Sequence, residues 1–280
     1  MEIQIVIQAE KLLDEFKNRV LGQDHIFEKL CYVIRRGEAG FSPENEPRGA
    51  FLFLGPTGTG KTETAKAMAE ILDAPLIRFD MSEYSNSQKW LQDFAFKLKN
   101  KTRGIILLDE IEKGDKEIMD YFLQILSEAT ITVDRQEIKL NNFYIVMTSN
   151  LGSKDLYSLT PSEVKFVVDI RAKGYFRPEF IGRFHRGCIM VFIPFAYETI
   201  RKIANLKMQQ EMKKLAEKGF SCQSYTEAVI DKLMFYVVLN QESGARPIVQ
   251  AIQEYVADAL LSSGKKTGCF DVQNGKIVFV

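Results

Sequence analysis

The sequence predicts an α/β fold: a five-stranded parallel sheet between helices, followed by a smaller helical domain that ends in a β-hairpin. Three observations predict it. Five short apolar runs, Ala50 to Leu54, Leu76 to Phe79, Gly104 to Leu108, Phe143 to Thr148 and Cys188 to Ile193, alternate with helical patterns. Runs that are apolar throughout, rather than at every second residue, belong to strands buried on both faces, as parallel strands are. After Pro194 the strand signals stop, and Tyr197 to Glu217, Thr226 to Leu239 and Ala245 to Ser262 all carry apolar residues at helical spacing. The tail, Phe270 to Val280, holds Asn274-Gly275 between two alternating runs, a pair that favours a tight hairpin turn.

This change of pattern near Phe195 marks a domain boundary, giving a large α/β domain over 1–194 and a small helical domain over 195–280. Inside the large domain, Thr62 to Leu72 and Lys116 to Ser127 read as helices, the second from Ile118, Phe122, Ile125 and Leu126. Between Ser85 and Gly104, residues Trp90, Leu91, Phe94 and Leu98 recur at helical spacing and mark one amphipathic helix. Trp90 there reads as a core or rim aromatic, with a surface role in gripping a substrate as the alternative. Thr130 to Leu140 alternates as a plain hairpin does.

Composition narrows the class. A chain of 280 residues can bury two cores. Its 37 basic and 37 acidic residues cancel, so no overall field draws it to nucleic acid or anionic lipid. Cys31, Cys188, Cys222 and Cys269 form no CxxC pair and read as reduced thiols of a cytosolic protein. Met1 to Ala9 has no basic start or long apolar core, unlike a signal peptide, and no apolar run approaches the roughly 20 residues that span a bilayer. The expectation is a soluble, cytoplasmic protein without a membrane partner.

The chemistry begins after the first strand. Gly55-Pro56-Thr57-Gly58-Thr59-Gly60-Lys61-Thr62 matches G-x4-G-K-[ST] between an apolar strand and a helix. Its glycines let the backbone curl so that successive N–H groups face phosphates, and the following helix adds the partial positive charge of its start. Lys61 then reaches the β- and γ-phosphates and Thr62 offers a hydroxyl to Mg2+. A second strand, Ile105-Ile106-Leu107-Leu108, runs straight into Asp109-Glu110. A buried strand that ends in two acids needs partners for them, since an unpaired buried charge is costly. Asp109 is placed to hold the water shell of Mg2+ and Glu110 to polarise an attacking water as general base. A third strand ends at Asn150, an amide able to orient the same water, though by itself an ordinary turn residue.

Taken in order, Gly55 to Thr62, Leu107-Leu108-Asp109-Glu110-Ile111-Glu112-Lys113, Met147-Thr148-Ser149-Asn150-Leu151-Gly152-Ser153, Phe176-Arg177-Pro178-Glu179-Phe180 and Gly244-Ala245-Arg246-Pro247 resemble the second ATPase module of the ClpA and ClpB class of AAA+ chaperones. The resemblance runs from about Val20 to the end. It implies an AAA+ fold with a small helical lid, ATP and Mg2+ as ligands, and assembly into a ring or spiral of six subunits. It further implies that Arg183 is an arginine finger entering the neighbour's site, that Arg246 contacts the γ-phosphate from the small domain, and that Val20, Leu21 and Ile26 pack on the adenine. Gly182 departs from the family, which usually has Asn there.

Two absences matter for function. The family's Gly-Tyr-Val-Gly loop, which grips substrate in a central channel, has no counterpart between Ser85 and Gly104, and a Gly-rich second loop is replaced by Thr130 to Leu140. The expected function is therefore ATP hydrolysis coupled to remodelling a protein partner without processive threading. Alternatives are a nucleotide-gated oligomeric scaffold and a nucleic-acid-associated AAA+ protein, the last disfavoured by zero net charge.

Overall fold

The computed structural model describes residues 9–151, 156, 159–184, 188–239 and 243–280. Most of the Met1 to Ala9 segment, and Gly152-Ser153 of the third motif, lie outside them. The chain divides into two compact units, Met1–Pro56 with Gly60–Ile193, and Pro194–Val280 with Thr57–Thr59.

The first unit opens with α1 (Ala9–Arg19) and α2 (Asp24–Glu38), two amphipathic helices that the sequence reading had not singled out. Then follow β1 (Gly49–Leu54), α3 (Lys61–Ile71), β2 (Leu76–Asp80), α4 (Ser87–Leu98), β3 (Gly104–Asp109) and α5 (Ile118–Glu128). A hairpin of β4 (Thr130–Val133) and β5 (Gln136–Lys139) leads into β6 (Phe143–Ser149), and α6 (Pro161–Tyr175), α7 (Pro178–Gly182) and β7 (Ile189–Val191) complete the unit. The sheet order is β2-β3-β6-β1-β7, and every pairing in it is parallel.

All five expected strands are present, and alternation within the central ones explains why their runs are apolar throughout. Successive side chains point to opposite faces of a strand. In β1, Phe51 and Phe53 join a core with Phe16, Phe27 and Ile34 from α1 and α2 and Met68 from α3. Leu52 and Leu54 join a second core with Phe94, Ile118 and Phe122 from α4 and α5 and Val164 from α6. The interval after Ser85 is a helix, α4, started by Asn86, whose side chain accepts from the N–H groups of Gln88 and Lys89. Trp90 on α4 is fully buried, tilted against Phe94 at 4.9 Å and edge-on to Phe122 at 5.5 Å. Its position is that of a core residue rather than a surface grip.

The second unit comprises α8 (Tyr197–Glu217), β8 (Ser221–Tyr225), α9 (Glu227–Leu239), α10 (Arg246–Ala251), α11 (Ala257–Ser263), β9 (Thr267–Gln273) and β10 (Lys276–Phe279). The expected hairpin is β9–β10, and its turn residues Asn274 and Gly275 both have positive φ, 50° and 74°. One expectation is corrected here. Strand signals do not wait for the tail, because β8 pairs in parallel with β9 and makes a three-stranded sheet. Its sequence, Ser-Cys-Gln-Ser-Tyr, lies at an edge and is largely exposed, so it carries no apolar run. The helix read over Ala245 to Ser262 is interrupted by a π-helical turn at Ile252–Val256. Met208, Ile230, Leu233, Ile248 and Phe270 fill the core of this unit.

The four cysteines are free, with Cys31 and Cys188 buried. Among the described residues no helix is long and apolar enough to cross a membrane. Replacing the buried indole by a methyl group, Trp90→Ala, should cost about 3–5 kcal/mol of folding stability. Urea unfolding of the variant measures it, and a loss under about 1 kcal/mol would mean that Trp90 is not packed in the core.

Candidate nucleotide site

The loop from Gly55 to Gly60 leaves the carboxyl end of β1 and enters α3. Gly55 has φ 140°, and a Cβ there would lie 2.3 Å from the carbonyl oxygen of Phe192, so only glycine lets the loop pass β7. Gly60, with φ 98°, turns the chain in the left-handed region and caps α3, whose first residue is Lys61. The first N–H groups of a helix have no partner inside it, so the start of α3 offers donors to an anion. Lys61 is buried and its ammonium donates to the carbonyls of Gly55 at 2.6 Å and Pro56 at 2.7 Å. Thr59 is also buried.

Asp109, Glu110 and Asn150 meet Thr62 at the carboxyl ends of β3 and β6. The Thr62 hydroxyl lies 3.3 Å from each carboxylate oxygen of Asp109. The Thr148 hydroxyl donates to Asp109 Oδ1 and accepts from the Glu110 N–H at 3.0 Å, tying the two acids together. Glu110 sits at φ 59°, a left-handed conformation that a non-glycine residue holds only when its surroundings enforce it. Asn150 donates its side-chain amide to Glu110 Oε1 at 2.6 Å and its backbone N–H to Glu112 Oε1 at 2.9 Å. The Lys113 ammonium lies 2.5 Å from Glu110 Oε2. Burial pushes the Glu110 carboxyl up, but the hydrogen bonds from Lys113 and Asn150 outweigh it and hold the group below the usual glutamate range. Glu110 is thus an ionised acceptor with both oxygens already oriented.

The remaining expected residues fall in three places. Val20 and Ile26 are buried among α1 and α2, and Leu21 between them is half-buried. That segment is pinned by Gln23, whose side chain donates to the Ile193 carbonyl at 2.8 Å and accepts from its N–H at 3.2 Å, and by His25 Nε2, 2.8 Å from the Val191 carbonyl. Arg183, just after α7, is exposed and lines a cavity with Tyr32, Arg36, Arg48, Gly49 and Ala50. It therefore stands at the amino end of β1, a strand's length from the loop at the other end. Gly182 has open space where a Cβ would go, so nothing local demands glycine there. Arg246 is exposed on the first turn of α10 in the second unit.

The donors present suit Mg2+. Thr62 and Asp109 supply two hard oxygens side by side. No group of three or more His, Cys, Asp or Glu among the described residues is placed to hold a metal alone. Such a pair fits a cation that brings phosphate and water oxygens with it, as Mg2+ does.

A family model described as AAA domain (Cdc48 subfamily) matches residues 46–186, and one for the C-terminal, D2-small domain of ClpB protein matches 196–264. The chain belongs to the AAA+ ATPases of the Clp type. This Clp-type module is 33% identical to the chaperone protein ClpB of Aquifex aeolicus, over 96% of its own length and 30% of that protein. It is also 33% identical to ClpB of Vibrio cholerae, over 91% of its length and 32% of the relative. It thus spans about a third of the curated relatives it matches. Its fold matches a closed-state cryo-EM reconstruction of Hsp104 with ATPγS and FITC-casein, with a TM-score of 0.81 at 24% identity, over 98% of this chain and 52% of that one.

Three residues of the Clp-type site escaped the sequence reading. Lys113 and Thr148 stand inside motifs whose spacing gives neither of them a role of its own. Arg78, whose guanidinium donates to Asp109 Oδ2 at 2.7 Å, is a lone charge inside the apolar run of β2, a signal that was visible. Thr148 is fully buried, so Thr148→Val leaves Asp109 and the Glu110 N–H each short of a partner. The expected cost is about 1–3 kcal/mol of stability, and Thr148→Ser should recover most of it. Thermal unfolding of both variants checks this, and equal melting of Val and wild type would remove the bridge.

Proposed function

We propose that this chain binds ATP with Mg2+ and hydrolyses it, and that turnover drives remodelling of a protein partner or complex without processive threading. The observation that carries the reading is the convergence of Thr62, Asp109, Glu110 and Asn150 beside the start of α3. Residues Pro56 to Thr62 hold the phosphates, with backbone N–H groups and the helix start as donors. Lys61 exchanges its carbonyl partners for the β- and γ-phosphates. Thr62 and Asp109 hold Mg2+, Asp109 through water; when bound, the metal neutralises charge on the β- and γ-oxygens. Glu110 takes a proton from the attacking water, and Asn150 fixes the carboxylate that does so. Leu21 offers the apolar face for adenine, backed by Val20 and Ile26.

Arg183 acts on a neighbouring copy, which its place at the far end of β1 supports, since it stands away from its own loop. Arg246 reaches the γ-phosphate from the small domain. A finger that works in trans requires self-association, and a ring or spiral of six subunits is the assembly proposed. The non-threading mode draws support from α4, which occupies the interval after Ser85 as a helix with its Trp90 turned into the core. Neither the membrane nor nucleic acid is proposed as a partner.

A steady-state ATPase assay tests the chemistry. Glu110→Gln should bind ATP yet lose about 10²- to 10⁴-fold in turnover, whereas equal turnover would end the assignment of Glu110. Arg183→Ala should likewise keep ATP binding and lose roughly a thousandfold or more in turnover; unchanged turnover would show that Arg183 is no finger. ATP-dependent unfolding of a tagged globular substrate would refute the non-threading mode.

A further inference from the structure

We propose that Arg78 is a built-in counter-cation of the metal site, which neutralises Asp109 while no nucleotide is bound and so keeps free divalent cations out. The inference rests on the reading of Asp109 as the carboxylate that faces the metal. Arg78 lies on β2, the edge strand of the sheet next to β3, where Asp80 is the ladder partner of Asp109. Its guanidinium donates to Asp109 Oδ2 at 2.7 Å and stands 3.6 Å from Asp80 Oδ2. The Thr148 hydroxyl engages Oδ1, so both oxygens of Asp109 are occupied by donors.

Burial makes the two partners unequal. The Asp109 side chain is 7% exposed, whereas that of Arg78 is 48% exposed. A buried carboxylate cannot be left to water and needs a counter-charge. The arginine can keep its head in water with its stem along the sheet edge, and so withdraws without stranding a charge. A bare divalent cation approaching Asp109 meets this fixed positive charge and finds the carboxylate already half neutralised. A nucleotide triphosphate alters that balance, because its own negative charges offset the guanidinium and give Arg78 other acceptors. The metal then enters with nucleotide rather than ahead of it.

Binding of Mn2+, a paramagnetic substitute for Mg2+, to the full 280-residue chain tests the proposal without any reference to turnover. Electron paramagnetic resonance of the free ion gives the affinity with and without a non-hydrolysable ATP analogue. Without nucleotide, Arg78→Gln should bind Mn2+ at least about tenfold tighter than wild type, as expected for removing a neighbouring unit charge. Arg78→Lys keeps the charge and should stay near wild type, and adding Asp109→Asn to Arg78→Gln should abolish the gain. The proposal is overturned if Arg78→Gln binds Mn2+ no tighter than wild type, if Arg78→Lys gains as much, or if the gain survives loss of the Asp109 charge. Asp109→Asn alone separates the two layers. If it leaves Mn2+ binding with the nucleotide analogue unchanged, Asp109 does not face the metal and both readings fall. If it weakens that binding while Arg78→Gln gives no gain, only the counter-cation falls.

Discussion

The Asp109 carboxylate organises the carboxyl edge of the sheet, because a charge that buried is tolerated only when every neighbour supplies a donor. Thr148 comes from the adjacent strand β6, Arg78 from the edge strand β2 on the other side, and Thr62 from the first turn of α3. Three elements are thereby held in one register around one group. A slip of one residue in β6 would turn Thr148 to the opposite face and leave the carboxylate unpaired, since strand side chains alternate. The same hydroxyl takes the Glu110 N–H, which carries the chain through a left-handed turn and brings its carboxylate under Asn150.

Around that group the fold is a support. The two apolar cores on either face of the sheet immobilise β1, β3 and β6, so the residues at their ends inherit fixed positions. The approach of Gly55 to Phe192, and the clasp of Gln23 on Ile193, tie the loop and the Val20–Ile26 segment to the residues just after β7. Precision at the site thus derives from packing several residues away, which is the arrangement expected of a rigid scaffold carrying a reactive edge. The ionised state of Glu110 follows from the same economy of contacts: Lys113 lies three residues on, in the turn that follows β3, and faces the carboxylate.

The interval that the family resemblance assigns to substrate gripping is α4, whose aromatic face stabilises the core. The hairpin β4–β5 turns through Asp134 and Arg135, both with positive φ.

How much of this was legible in the chain itself depends on the range of the physics involved. Apolar runs reported the strands, because burial on both faces of the central β1, β3 and β6 leaves a local signature, and Asn274-Gly275 reported the hairpin, because positive φ is a local demand. The phosphate loop and the Asp109-Glu110 pair were readable for the same reason: each is contiguous. The polar edge strand β8 left no such trace, since its pairing with β9 satisfies backbone groups rather than side chains. Arg78 and Thr148 were likewise in plain view as letters, but their roles arise only when β2, β3 and β6 lie side by side and bring residues 31 and 39 positions away onto the Asp109 carboxylate. The sequence by itself determined the contiguous groups of the candidate site, the Gly55–Thr62 loop and the Asp109-Glu110 pair. Only the tertiary structure decided which of them share a charge, because that depends on distances across the sheet that no local pattern encodes.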